Sequence, residues 1–128
     1  MGRDIEPLVI TRLRAQLAEQ VSAPLAVSAK SHQYWFDEES AAYNDIDVKQ
    51  GEAFAVVVVQ GQLPSETLIV QIWHRYADEV WLVDRSDNMI SIIPRDGVIR
   101  VYAVGETLRS ERLPGVAISI ASIFSVAN

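Results

Sequence analysis

The fold is decided by residues 78–124, DEVWLVDRSDNMISIIPRDGVIRVYAVGETLRSERLPGVAISIASIF, a run of short apolar segments separated by turn-forming residues. The first segment ends in Asp84 and predicts a strand. Turn residues at 86–88 and 95–97 separate the next two apolar segments, which predicts two β-hairpins. A further short strand is expected at 116–120, followed by one helical turn. This stretch therefore indicates a series of C-terminal hairpins, and it bears on fold more than on chemistry.

The upstream half predicts two helices and four strands. Apolar residues three and four positions apart predict an amphipathic helix from about Asp4 to Val21. Residues 53–59, AFAVVVV, are apolar throughout, which is typical of a central strand covered on both faces. Ser65 is expected to cap a second helix, whose apolar face carries Trp73. The remaining strands are predicted at 25–29, 32–37 and 42–48.

The composition is that of an ordinary globular protein. The chain has 128 residues, of which 49% are hydrophobic and 22% charged, so we expect a single domain over 1–128. No apolar run approaches the roughly 20 residues needed to cross a bilayer, and the first residues lack the features of a signal peptide. A cytoplasmic protein without membrane association is expected. Because cysteine is absent, any metal site must use histidine or carboxylate ligands.

The charge balance bears on the choice of partner. A formal net charge of −6 argues against broad, nonspecific binding to nucleic acid, because phosphate attraction supplies most of that affinity. DNA stays open as a partner only through a local basic patch. Nine of the eleven cations are arginines, which favours bidentate ion pairing over point charges.

Two motifs in the C-terminal stretch resemble a known family. Residues 79–84, EVWLVD, are similar to the EYWLVDP strand of the Uma-two-type restriction endonucleases, which belong to the PD-(D/E)xK nuclease superfamily. Residues 105–115, GETLRSERLPG, followed by Ile123 and Phe124, resemble the family's GETLxSxxLPG…LF ending. The upstream half matches in pattern only. The resemblance implies an α/β (α+β) fold of the restriction-endonuclease-like type, with a mixed central sheet flanked by two helices and extended by C-terminal β-hairpins.

The resemblance also implies a site for metal-dependent phosphodiester cleavage. Two carboxylates on adjacent strands would hold Mg²⁺ or Mn²⁺, which activates a water molecule, and a lysine commonly assists. Asp45 occupies the place of the family's first carboxylate. The place of the second, a glutamate on the next strand, is expected to fall on Val58, and the second helix contains no lysine. The implied site is therefore degenerate, because two of its three chemical groups are missing.

Three residues remain as candidates for a site. Asp45 and Asp47 are two positions apart on one predicted strand and would share a face, either as a substitute metal pair or as a polar strand edge in solvent. Gln60, two positions past Val58, is a candidate catalytic residue that could donate to a phosphate but could not act as acid or base. Its alternative role is a strand-end amide.

Three other side chains, Asp84, Trp73 and Trp81, are predicted to stabilise the fold and not to form part of a site. Asp84 is predicted to accept backbone hydrogen bonds in a hairpin turn. Trp73 and Trp81 lie on apolar faces, so we expect both to pack in the core and not to stack on bases.

Three functions are compatible with these observations. The first is a nuclease fold without catalysis that acts as a binding or assembly module, as a homodimer or with another protein. The second is an active metal-dependent DNA endonuclease built on Asp45 and Asp47. The third is a structural protein associated with a phage or mobile element. The acidic balance, the apolar central strand and the missing catalytic groups favour the first.

Overall fold

The computed structural model describes residues 6–35 and 41–124, which form a mixed β-sheet with helices on both faces. The helices are α1 (Leu8–Gln20), α2 (Thr67–Trp73) and α3 (Ile120–Phe124). The strands are β1 (Leu25–Val27), β2 (His32–Trp35), β3 (Ala41–Asn44), β4 (Ile46–Gln50), β5 (Ala53–Gln60), β6 (Ala77–Asp84), β7 (Met89–Pro94), β8 (Arg100–Ala103), β9 (Thr107–Ser110) and β10 (Leu113–Ser119). None of the described helices is long and apolar enough to cross a membrane.

Six strands form the central sheet, in the order β1-β4-β5-β6-β7-β8. The β5–β6 pair is parallel, and the neighbouring pairs of this sheet are antiparallel. Two smaller antiparallel pairs, β2–β3 and β9–β10, complete the described strands. The predicted fold class, a mixed central sheet with flanking helices and C-terminal hairpins, is confirmed.

The central strand β5 is buried on both faces, as its continuous apolar sequence predicts. Val56 and Val58 contribute to the core beneath α1, whereas Val57 and Val59 contribute to the core beneath α2. The four valines are between 0% and 3% exposed. Since successive side chains of a strand point to opposite faces, four consecutive valines supply two cores at once.

The layer over one face is built on α1. Its residues Ile10, Leu13 and Leu17 are fully buried, at the spacing of three and four that places them on one helix face. β9, β10 and α3 contribute to the same core. The helix begins at Leu8, and the carbonyl of Pro7 accepts the N–H of Thr11 at 3.1 Å. The start predicted at Asp4 lies outside the described residues.

The layer over the other face is built on α2, which connects β5 to its parallel neighbour β6. Trp73 is fully buried and makes edge-on ring contacts with Tyr34 and Phe54, at centroid distances of 5.7 and 5.1 Å. The core position predicted for Trp73 is confirmed. The prediction that Ser65 caps the helix is wrong, because Glu66 occupies the N-cap and makes no side-chain cap hydrogen bond.

The predicted strand at 42–48 is in fact two strands that break at Asp45. β3 pairs with β2 outside the central sheet, and β4 lies within that sheet between β1 and β5. The N–H of Asp45 donates to the carbonyl of Val58 at 2.8 Å, which anchors the bend to β5. A pattern of alternating residues cannot reveal such a change of sheet, because both halves are locally extended.

The C-terminal hairpins agree with the prediction, apart from the unpredicted strand β9. The carboxylate of Asp84 accepts the backbone N–H groups of Ser86 and Asp87 at 3.0 and 3.1 Å, in the turn between β6 and β7. Asn88, which ends this turn, has a φ of 55°, a left-handed conformation that asparagine tolerates. Trp81 on β6 is fully buried, as predicted.

Candidate active site

Asp45 and Gln60 are brought together where the β3–β4 bend meets the end of β5. The side-chain Nε2 of Gln60 donates to Oδ1 of Asp45 at 3.1 Å. The backbone N–H of Gln60 donates to Oδ2 of the same carboxylate, also at 3.1 Å. One residue therefore donates to both oxygens of Asp45, and the two candidate catalytic residues form one hydrogen-bonded unit.

Two arginines lie beside this pair. Arg14 of α1 donates to the backbone carbonyl of Asp45, to the carbonyl of Ser28 at 3.0 Å and to the carboxylate of Glu6. Arg85, which follows β6, donates to Oε1 of Gln60 at 3.1 Å. Because Arg85 takes the amide oxygen, the amide nitrogen of Gln60 is directed towards Asp45. Neither arginine stands out in the sequence, since their proximity arises only when α1 and β6 pack around the bend.

Burial raises the pKa of Asp45 above its ordinary value of 3.8. The two hydrogen bonds from Gln60 and the positive charge of Arg14 act in the opposite direction, and they do not cancel the effect of burial. The carboxylate is thus held in an environment that penalises its charge. Perturbed carboxyl groups of this kind occur both at active sites and in structural networks.

Asp47 has different partners from Asp45. Its carboxylate accepts the hydroxyl hydrogen of Tyr34 at 2.9 Å, and its backbone N–H donates to Oγ of Ser28 at the same distance. Burial, followed by the hydrogen bond and the negative charge of Asp47, raises the pKa of Tyr34 to about 12. Asp47 is 3% exposed and borders a cavity of about 400 Å³ on the side of β1 and Tyr34. The carboxylates of the candidate metal pair therefore have different hydrogen-bond donors, Gln60 for Asp45 and Tyr34 for Asp47.

Val58 does not hold the position beside the Asp45 carboxylate. Its side chain is fully buried in the core under α1, and only its backbone carbonyl contacts Asp45. Gln60 is the residue of β5 whose side chain lies next to that carboxylate. Gln60, and not Val58, is therefore the residue of β5 whose side chain bonds to the carboxylate of Asp45.

Asn44 is a further polar residue of this region, and the sequence analysis missed it. It lies on β3 directly before Asp45 and is fully buried. Neither its amide oxygen nor its amide nitrogen has a hydrogen-bond partner among the described residues. Burying an amide in this way costs about 1–3 kcal/mol, and a polar residue within an alternating strand carries no sequence signal of that cost.

The described residues do not fit a divalent cation in this arrangement. No three of their histidine, aspartate and glutamate side chains are grouped closely enough to hold a metal ion. Mg²⁺ and Mn²⁺ require oxygen ligands, but the neighbours of the Asp45 carboxylate are the N–H donors of Gln60. A cation at Asp45 would have to displace these donors, one of which belongs to the backbone of β5.

Comparisons with known proteins identify the fold. Neither the scan against protein-family models nor the search of curated proteins finds a match for this sequence. A crystal structure described as "a putative nuclease belonging to DUF820", from Anabaena variabilis ATCC 29413, is similar, with a TM-score of 0.75 and 11% identical residues. The similarity covers 92% of this chain and 79% of the other. At this identity the likeness extends to the fold, and the fold of this chain is nuclease-like.

Proposed function

We propose that this protein keeps a nuclease fold but does not cleave DNA, and that it acts as a binding or assembly module. The proposal places the chain as a degenerate member of the Uma-two-type family. It draws support from the EVWLVD and GETLRSERLPG motifs and from the fold shared with a protein described as "a putative nuclease". The single observation that carries it is the pairing of the Asp45 carboxylate with both N–H donors of Gln60.

Cleavage is disfavoured because the group that faces the Asp45 carboxylate is the amide of Gln60. Metal-assisted cleavage needs anionic oxygen ligands that hold the cation and lower the pKa of its bound water. An amide nitrogen supplies hydrogen to the carboxylate and cannot ligate a cation. Arg85 adds a positive charge beside the same pair, which disfavours the approach of a further cation, whereas the charge of Arg14 is paired with Glu6.

A cleavage assay tests the proposal directly. Purified protein is incubated with supercoiled plasmid DNA in the presence of Mg²⁺ and, separately, Mn²⁺, and nicked and linear products are followed on a gel. We expect no product above the level of a buffer control. The alternative function is a metal-dependent endonuclease that uses Asp45 and Asp47. It would be established if the protein cleaves the plasmid and the cleavage disappears in Asp45→Ala. An Asp87→Ala variant, purified in parallel, is the control and should still cleave in that case.

The assembly partner that we propose is a second copy of the chain, joined at the outer edge of β8. This strand pairs with β7 on one side and ends the six-stranded sheet on the other. Apolar side chains along and beside this edge are exposed: Val98 by 80%, Val101 by 49% and Val104 by 56%. Exposed apolar edges of this kind favour pairing with another strand. The sequence composition also fits a partner that is not DNA, because the net charge is −6.

A further inference from the structure

A second polar cavity, of about 300 Å³, lies away from Asp45, between β6, β7 and the turn that joins β9 to β10. We call it the Glu79 cavity. Its lining includes Glu79, Pro94, Val98, Arg100, Arg109 and Arg112. Its volume is at the lower end of the range of about 300–1,000 Å³ that is usual for small-molecule sites.

Glu79 gives the cavity a buried carboxylate whose orientation is fixed. It is 6% exposed, and one oxygen, Oε1, accepts Nε1–H of Trp81 at 3.0 Å and the hydroxyl of Ser110 at 2.7 Å. Ser110 Oγ in turn accepts the backbone N–H of Arg112 at 3.1 Å. The other oxygen, Oε2, has no hydrogen-bond partner among the described residues. This oxygen is accessible from the cavity, where a carboxylate oxygen is a strong acceptor for an N–H group of a ligand.

The arginines give the same cavity a positive group. Arg100 makes a long ion pair of 3.6 Å with Glu111, and both side chains are largely exposed. The guanidinium groups of Arg109 and Arg112 have no partner within the described part of the chain. Guanidinium groups match the geometry of phosphate oxygens and bind them through paired hydrogen bonds.

The combination of charges restricts the ligand. The lining carries three arginines and three carboxylates, those of Glu79, Asp96 and Glu111, so it favours neither a purely cationic nor a purely anionic molecule. A fitting ligand carries an N–H donor at one end and an anion at the other. We propose that the Glu79 cavity binds a nucleotide whose base bears an exocyclic amino group. The amino group donates to Oε2 of Glu79, and the phosphate contacts Arg109 and Arg112.

The proposal does not depend on whether the Asp45 site is catalytic, and one pair of ligands tests it. Deoxycytidine and deoxyuridine monophosphate differ in that the amino group of cytosine is replaced by a carbonyl oxygen in uracil. Isothermal titration calorimetry of the full chain should give a Kd about tenfold lower for the cytosine nucleotide, because uracil presents an acceptor to the carboxylate. Equal affinities, or no binding of either nucleotide, would overturn the proposal.

Glu79→Gln provides a sharper version of the test. Its amide oxygen can still accept from Trp81 and Ser110, and its NH₂ group then faces the cavity as a donor. The preference should therefore reverse in favour of the uracil nucleotide, which loss of a merely structural residue would not cause. Glu19→Gln, an exposed substitution on α1, is the matched control and should keep the original preference.

Two further measurements separate base recognition from anion binding. Arg109→Gln and Arg112→Gln should weaken both nucleotides by the same factor and leave the ratio of their Kd values unchanged. Inorganic phosphate alone should bind more weakly than the cytosine nucleotide. If phosphate binds as tightly as the nucleotide, the cavity recognises an anion only, and the proposed contact between Glu79 and the base is contradicted. The two-nucleotide comparison on the unmodified chain decides the matter even if the Glu79 variant does not fold.

Discussion

Gln60 presents its amide nitrogen to the carboxylate of Asp45, a group that cannot take the place of the second carboxylate of the proposed nuclease ancestry. Two contacts hold this amide in place, since Arg85 binds its oxygen while its nitrogen reaches Asp45. The neutral amide of Gln60 therefore forms hydrogen bonds with two ionisable side chains, the carboxyl group of Asp45 and the guanidinium group of Arg85. A single isosteric replacement at Gln60 changes that chemistry without changing the size of the side chain.

The first prediction concerns Gln60→Glu. Without metal, the added carboxylate faces Asp45 and should destabilise the fold by roughly 1–3 kcal/mol through like-charge repulsion. Mn²⁺ should then raise the melting temperature of the variant, because a cation that binds only the folded state stabilises it. Thermal unfolding with and without Mn²⁺ measures both effects. Gln62→Glu, an exposed control two residues away, should show neither. A variant indifferent to Mn²⁺ contradicts the expectation that carboxylates at positions 45 and 60 together hold a cation.

The second prediction concerns the titration of Asp45. Burial raises the pKa of this carboxyl group, so the folded state binds its proton more tightly than the unfolded state does. The free energy of unfolding should accordingly fall as the pH rises from 3.8 through the folded pKa, and this contribution should stay constant at higher pH. Carboxyl carbon chemical shifts, followed by NMR, report the midpoint. An Asp45 midpoint at or below 3.8 contradicts the prediction.

The third prediction concerns Tyr34, whose hydroxyl donates to the buried Asp47. Its pKa is raised from 10.0 to about 12, so the stabilisation from this contact is fully present below pH 10.0 and is lost as the pH rises through about 12. Tyr34→Phe should lower the unfolding free energy at neutral pH by about 1–3 kcal/mol, since it removes a hydrogen bond to a buried carboxylate. Tyr43→Phe, at a residue 58% exposed, should have little effect.

Absorbance near the tyrosinate band checks the same assignment independently. The unmodified chain has four tyrosines, and the highest-pH step of its titration should be absent in Tyr34→Phe. If that step persists in the variant, another tyrosine titrates near pH 12 and the prediction for Tyr34 is wrong.

At the scale of elements, the turn between β6 and β7 offers a matched pair of neighbouring carboxylates. Asp84 accepts two backbone N–H groups, whereas Asp87 contributes its own N–H and has an exposed side chain. Asp84→Ala should lower the free energy of unfolding by about 1–2 kcal/mol, because the turn loses two charge-assisted hydrogen bonds. Asp87→Ala should change it by less than about 0.5 kcal/mol. Chemical denaturation measures the difference, and equal effects of the two variants contradict this role for Asp84.

The helices and strands also differ in how well the sequence predicts their boundaries and their buried faces. The α1 face and the all-valine strand β5 are predictable because their burial follows directly from spacing. The division between β3 and β4 is not, because a bend at Asp45 depends on its hydrogen bonds to the distant Val58 and Gln60. On the two sides of that bend, Asp45 and Asp47 have different side-chain hydrogen-bond partners.

At the scale of the whole molecule, the edge of the sheet at β8 predicts self-association. Val101→Lys should convert a dimer to a monomer, since a lysine on an apolar edge strand blocks pairing with a second strand. Light scattering coupled to size-exclusion chromatography measures the mass. Lys49→Arg, which preserves the charge at a distant position, is a control that should remain dimeric. A monomeric mass for the unmodified chain contradicts the proposed homodimer.

The sequence by itself determined the positions of the helices, the strands apart from β9 and the division between β3 and β4, the two-sided burial of β5, and the turn role of Asp84. Each of these follows from residues close together in the chain, where periodicity and turn chemistry act. Tertiary structure alone decided which side chain lies beside Asp45, and it brought Arg14, Gln60 and Arg85 around that carboxylate from three separate elements. It likewise joined Glu79 to Ser110 across two sheets. The physical reason is that hydrogen bonds between distant segments depend on how layers pack, and no local pattern encodes that packing.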